Sequence, residues 1–203
     1  MALTLLGGRL AVEFANTVLT DSAGENGDAD WAFLLGFLAS SGVISPRRAE
    51  ALAILPEVAP VETRQFARKA QTMWRAIRKA LSSRINGTEL EPSAISEINS
   101  VLAYTEGYER LEPAEPSNKS EADWQLRLAA RSEGVEWLLT AIARSAAEII
   151  AEGPMAPVRR CANPACGLYF YDDSRTSRRR WCSMATCGNR AKVAAHYARS
   201  KTR

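Results

Sequence analysis

Apolar residues recur along most of the chain at helical spacing. The clearest stretch runs from Val61 to Ile85, where Phe66, Ala70, Met73, Trp74, Ile77, Leu81 and Ile85 fall on one helical face. Arg64, Arg68, Arg75, Arg78 and Lys79 lie mainly elsewhere on that helix, and solvation explains them better than an anion site does. Asn86-Gly87 predicts its end. Upstream, Leu10, Phe14 and Val18 of "GGRLAVEFANTVL" predict a helix after a Gly-Gly turn. Leu10, Val12 and Phe14 also alternate, so a strand stays open for its first half. "DSAGENGDAD" reads as a polar loop, after which Asp28 or Asp30 caps a helix from Trp31 to Ser40 that stops near Gly42. "SPRRAEALAIL" predicts another short helix, with Ser45 as N-cap, Pro46 at the first position, and Ala49, Leu52 and Leu55 facing inward. "EPSAISEINSVLAY" predicts one more, with Ser93 as cap and Glu97 near a capping-box position.

The period then shortens. Tyr108 and Leu111 loosely, and Trp124, Leu126 and Leu128 strictly, alternate with polar residues. This predicts two antiparallel strands joined by the long polar loop "AEPSNKSEA". A last helix from about Gly134 to Glu152 buries Val135, Leu138, Leu139, Ile142, Ala146 and Ile149, and "EGPMAP" breaks it. The elements predict an α+β protein. A mostly helical domain with a small antiparallel hairpin spans 1–153, and a separate C-terminal unit spans 154–203.

Charge sharpens that division. Residues 154–203 carry eleven Lys or Arg against two acids, whereas 1–153 carry fifteen basic and twenty-one acidic residues. A basic unit beside an acidic one points to a polyanion as partner of the former. A floppy basic tail is the plainer reading, but this unit also holds all four cysteines. "MALTLLGGRLAVEF" has no basic n-region and no small-residue cleavage site, and "WAFLLGFLA" is too short to span a membrane. The expectation is a soluble cytoplasmic protein without a membrane partner.

In a reducing compartment clustered cysteines are more often metal ligands than disulfides. Cys161 and Cys166 are separated by four residues, as are Cys182 and Cys187, and fifteen residues lie between the pairs. Two local turns can thus present four thiolates tetrahedrally to one structural Zn2+. Two disulfides would require an oxidising compartment. A redox pair would more naturally read C-x-x-C, and an iron–sulfur cluster is the minor metal alternative. About fifty residues with few aliphatics also need a staple. Four thiolates leave no open position for a catalytic water.

Between the pairs, "GLYFY" predicts one strand, Asp172-Asp173-Ser174 a turn, and Ser177 to Trp181 a returning strand. Ser183 then caps a helix on which Cys187, Ala191, Ala194 and Tyr197 face the metal and hairpin. Asn189, Lys192, His196, Arg199 and Arg203 form its polar stripe. Gly188 costs that helix about 1 kcal/mol relative to Ala, which suggests close backbone packing.

The pattern C-x4-C, "RRWCSM", "CGNR" resembles the CGNR zinc-finger family, and "GGRLAVEFANT" is similar to the opening motif of the ABATE domain that precedes this finger. Together the resemblances span nearly the whole chain. They imply a treble-clef finger: a zinc knuckle, a hairpin, then a helix carrying the second ligand pair. They also imply bacterial, stress-linked transcription regulation, with an N-terminal domain proposed to bind a ligand, and no enzymatic activity. The family pattern often has Asp where Glu13 stands, a departure that keeps the charge.

A hairpin and helix with a basic face suit nucleic acid. Arg175, Arg178, Arg179, Arg180, Arg190, Lys192, His196 and Arg199 are candidates for phosphates. Asn189 and Arg190 are candidates for base edges. A solvated or packing role is the alternative for each one singly. For a small ligand in the N-terminal domain the candidates are Gly8, Asn16 and Trp31; a Gly-Gly turn can approach an anion. A backbone carbonyl is the plainer partner for Asn16. The sequence has no H-E-x-x-H, P-loop, G-x-S-x-G or spare Cys–His dyad, so an enzyme ranks last. The expected function is a DNA-binding regulator, with a protein-interaction adaptor or an RNA-binding protein as alternatives. Dimerisation is compatible with this reading, although no dimerisation helix stands out.

Overall fold

The helix predicted most clearly from the sequence forms the axis of the molecule. In this computed structural model, residues 6–17, 19, 27–103, 107–113, 124–130 and 135–201 are described. Helix α5 spans Pro60–Asn86, and Gly87 ends it in the left-handed conformation, φ 66°. Such a C-cap favours glycine because a side chain would crowd the backbone. Phe66, Ala70, Met73, Ile77 and Leu81 of α5 are buried. Each fully buried large apolar side chain contributes about 1.5–3 kcal/mol.

Helix α1 (Leu10–Ala15) packs against α5. Its first half is helical, which resolves the open strand alternative. Helix α2 (Gly27–Ser40) also packs on α5. It begins earlier than expected, so Asp28 and Asp30 lie within the helix rather than before it. The Trp31 ring meets Phe66 edge-on at 5.2 Å, and Phe14 meets Phe37 at 5.5 Å. Helix α3 (Pro46–Leu52) starts as predicted, the Ser45 hydroxyl oxygen accepting from the Arg48 N–H at 3.2 Å. A short helix α4 (Leu55–Val58) leads into α5.

Glu91, not Ser93, occupies the N-cap position of helix α6 (Pro92–Leu102), and its side chain makes no capping hydrogen bond. Pro92 already occupies the first helical position, and this places Ser93 inside the helix. Strands β1 (Gly107–Pro113) and β2 (Trp124–Ala130) pair antiparallel, from Gly107 opposite Ala130 to Pro113 opposite Trp124. The predicted hairpin is therefore present, and its loop lies outside the described residues. A 3-10 turn, Glu136–Leu139, opens helix α7 (Thr140–Ala151), which packs on α1 and α6. Gly134 lies outside the described residues.

The C-terminal unit departs from expectation in its strands. β3 (Val158–Arg160) and β4 (Tyr169–Tyr171) pair antiparallel around the first cysteine pair, with Val158 opposite Tyr171. No strand forms at 177–181. That segment instead wraps around the Asp172 carboxylate. A π-helical turn, Met184–Gly188, leads into helix α8 (Asn189–Lys201).

Strand β4 stands between two apolar cores. Tyr169 is buried with the helical core and Tyr171 packs against it, while Phe170 packs with Cys161, Cys182 and Cys187. The period-2 alternation of a strand sends these neighbours to opposite sides. No helix among the described residues is long and apolar enough to cross a membrane.

Candidate metal centre and nucleic-acid interface

Two turns built by local hydrogen bonds bring the four cysteines together. After β3, the Cys161 N–H donates to the Leu168 carbonyl at 2.8 Å. The Asn163 side-chain oxygen then accepts from the Ala165 N–H at 3.1 Å, and the Cys166 N–H donates to the Asn163 carbonyl at 2.9 Å. The second pair is set by Ser183, whose hydroxyl oxygen accepts from the Thr186 N–H at 3.3 Å and caps the turn carrying Cys187.

The four sulfurs all lie within 4.8 Å of one another. Cys166 and Cys182 sulfurs are 3.6 Å apart, and Cys182 and Cys187 sulfurs 3.8 Å. A tetrahedron with zinc–sulfur bonds of about 2.3 Å has sulfur separations of roughly 3.8 Å. These distances exceed the length of a disulfide bond, about 2.05 Å. Cys161, Cys182 and Cys187 are buried, and burial pushes the Cys182 and Cys166 thiols up. The Asn163 side-chain amide, 3.4 Å from the Cys187 sulfur, brings that thiol down to about 7. The Cys182 N–H points at the Cys161 sulfur, 3.5 Å away. Such N–H groups stabilise thiolates from outside the coordination shell. Four thiolates this close repel one another, and a divalent cation offsets that repulsion. The site fits one structural Zn2+.

Asp172 organises the segment between the pairs. Its side chain is 0% exposed, accepts from the Ser174 N–H, the Ser174 hydroxyl and the Arg179 N–H, and lies 3.3 Å from the Arg159 Nε. Burial alone would raise its carboxyl, but the hydrogen bonds from Ser174 and Arg179 and the charge of Arg159 bring it below the ordinary value. The sequence identified this residue only as part of a turn.

The basic candidates divide. Arg179 is turned inward: its Nε donates to the Trp181 carbonyl at 2.9 Å, its terminal nitrogen to the Cys182 carbonyl, and its guanidinium lies 4.9 Å from the Phe170 ring centre. Through these contacts it braces the metal knuckle, although it also borders the groove of Arg178 and Arg180. Arg175, Arg178, Arg180, Arg190 and Lys192 are exposed, with no ion pair to another described residue. Arg180 stacks on Trp181 at 5.3 Å. Arg178, Arg180, Trp181 and Met184 share a groove of about 580 Å³. A second groove of about 500 Å³ runs beside Ala185, Thr186, Asn189, Arg190 and Val193. The Asn189 amide donates to the Ala185 carbonyl at 3.1 Å and so secures the start of α8. The side chains of His196 and Arg199 lie outside the described residues.

Helix α8 does not return its Ala194–Tyr197 face to the hairpin. Val193 is 54% and Tyr197 64% exposed, and Ala194 is exposed as well. The π-turn adds a residue to one helical turn, which rotates everything downstream by about 100° relative to a continuous α-helix. Gly188 matches the close packing inferred from the sequence. A Cβ there would clash with the Met184 sulfur and lie 3.2 Å from the Trp181 ring.

The N-terminal ligand candidates do not converge on one pocket. Trp31 is a buried core residue whose indole N–H donates to the Leu52 carbonyl at 3.0 Å. Asn16 ends α1 rather than lying mid-helix, and it pairs with the backbone of Tyr169 in the finger. Gly8 borders a cavity of about 390 Å³ with Arg9, Leu10, Glu13, Ser41 and Arg179. The Gly7 and Gly8 N–H groups are already taken by the Glu13 carboxylate, at 2.6 and 3.2 Å. The anion at the Gly-Gly turn is thus the protein's own. Burial raises the Glu13 carboxyl, opposed by these backbone N–H groups. Local sequence did not show the pairings of Trp31 and Asn16, because their partners are distant in the chain.

Two family models match the chain. The CGNR zinc finger model matches residues 158–200. The ABATE model, described as "Putative stress-induced transcription regulator", matches residues 8–153. No curated protein matches the chain significantly.

Proposed function

The chain belongs to the ABATE family and carries a CGNR zinc finger after that domain, and from this premise we propose that it regulates transcription by binding DNA through the finger. One observation carries the reading. Exposed Arg178 and Arg180 line one groove and exposed Arg190 the other, none with an ion pair to another described residue, and exposed Lys192 lies on the helix that follows the metal-bearing turn. Cations held on a rigid frame neutralise phosphates without a large ordering cost, and their binding weakens steeply with salt. Arg190 is the base-reading residue in this proposal, because the Asn189 amide is engaged with Ala185. A bidentate arginine–guanine pair contributes about 1–3 kcal/mol of discrimination.

The ligand-responsive part of the proposal rests on the cavity bordered by Gly8 and Arg179, where a bound molecule would touch both domains. We assign no reaction to the protein: thiolates fill all four positions of the metal site. The exposed Val193 and Tyr197 favour a second reading, a protein-binding adaptor. The experiment that separates the two is Arg190→Glu with Lys192→Glu, measured by gel shift against mixed genomic fragments at low salt. Affinity is expected to fall at least a hundredfold with zinc content unchanged, and the wild-type salt slope to lose about 0.9 per phosphate contact removed. Unaltered DNA binding by this zinc-loaded variant refutes the assignment of this surface, whereas a zinc-loaded wild type that binds no DNA at low salt refutes the DNA reading and leaves the adaptor.

A further inference from the structure

We infer that the Gly7–Asn16 segment, together with Arg78, is a docking surface for the finger's own strand β4, and that docking and metal binding are thermodynamically linked. The inference does not depend on the DNA reading. A two-stranded sheet leaves each strand with one open edge, and β4 is paired to β3 on one side only. The helical domain fills the other. The Tyr171 N–H donates to the Gly7 carbonyl at 2.7 Å. The Asn16 side chain accepts from the Tyr169 N–H and donates to the Tyr169 carbonyl, each at 2.8 Å. One amide side chain thus completes both main-chain hydrogen bonds of that residue, as a neighbouring strand would.

Side chains seal the same contact. The Arg78 guanidinium donates to the Ala15 carbonyl at 2.7 Å and lies 4.8 Å from the Trp74 ring and 5.2 Å from the Tyr169 ring. Arg9 lies 4.6 Å from the Tyr171 ring, and the Tyr171 hydroxyl donates to Glu152 at 2.6 Å. Gly8 has φ 79°, and a Cβ there would lie 3.4 Å from the Tyr171 carbonyl oxygen. Glu13 holds this loop in shape through the Gly7 and Gly8 N–H groups.

The link to the metal follows from alternation. Phe170, between the two docked tyrosines, is fully buried against Cys161, Cys182 and Cys187. A strand ordered by docking is already ordered for the metal, and the reverse holds. Each event strengthens the other by the same factor.

The test uses the full chain. Zinc affinity is measured by competition with a chromogenic chelator, and docking by the rate of protease cleavage within 153–157. Asn16→Ala is expected to weaken zinc binding about tenfold, within the usual range of coupling between sites, and to speed cleavage. Ile98→Val, in the α6 core, is the control and is expected to lower thermal stability with zinc affinity unchanged. If Asn16→Ala does not fold, Asn16→Asp, which keeps the acceptor and loses the donor, carries the test. Wild-type zinc affinity and cleavage in the Asn16 variant overturn the inference. So does an equal loss of zinc affinity in the Ile98 control.

Discussion

Replacing Cys182 by serine is expected to empty the metal site and unfold the finger while the helical core survives. Cys182 is 1% exposed, and its sulfur lies 3.6 Å from that of Cys166 and 3.8 Å from that of Cys187. A serine hydroxyl is a poor zinc ligand, and the shorter side chain withdraws from the tetrahedron. Structural zinc contributes about 10–16 kcal/mol in small zinc-dependent folds. The apolar cluster around the metal site is small: Cys161, Phe170, Cys182 and Cys187 are buried in it, with Leu6, Cys166, Leu168 and Trp181 packed alongside, while Val158 and Tyr169 belong to the helical core. The helical domain differs, since Phe14, Trp31, Phe37, Phe66 and Trp137 are buried in a core of its own. Elemental analysis should show zinc falling from about one per chain to near zero. The three remaining thiols should become open to alkylation, with most helical circular dichroism retained. One equivalent of zinc in the serine variant would contradict the assignment of the site.

Asp172→Ala should produce the second large effect, a loss of roughly 3 kcal/mol, because removing the carboxylate strands several donors at about 1 kcal/mol or more each. Those donors are the Ser174 N–H and hydroxyl, the Arg179 N–H and the Arg159 guanidinium. The folded-state carboxyl is depressed, so its contribution is fully present above the unfolded carboxyl pKa of about 3.9. Neutral pH therefore displays the whole loss. Denaturant unfolding followed by Trp fluorescence reads it. Arg179 reaches the Cys182 carbonyl beside the metal, so chelators should also strip zinc faster from the variant. A transition within about 0.5 kcal/mol of wild type would refute the role given to Asp172.

Both predictions concern residues whose legibility in the sequence differs. The cysteine pairs were readable because each ligand pair is local: four intervening residues place two thiols on one turn whatever the rest of the chain does. Ser45, Ser183 and Gly87 were readable as helix boundaries for the same reason. The returning strand at 177–181 was misread. "SRRRW" alternates too weakly to define a strand, and the buried Asp172 carboxylate captures that backbone instead. The phase of α8 was misread because a π-turn leaves no mark in a periodicity count.

The basic residues show the boundary most clearly. Arg78, Arg179 and Arg190 carry the same side chain, and nothing in their own sequence contexts tells their roles apart. In the fold Arg78 seals a domain junction, Arg179 braces the knuckle, and Arg190 is exposed beside a groove. What the sequence by itself determined was the α+β class, the long α5 helix, the β1–β2 hairpin and the zinc ligand set. All of these depend on spacing over a few residues. What only the tertiary structure decided was which polar side chains serve the fold and which face outward. Asn16 meets Tyr169 across 153 residues of chain. Such a pairing depends on where two packed units bring their edges together, and no local period encodes it.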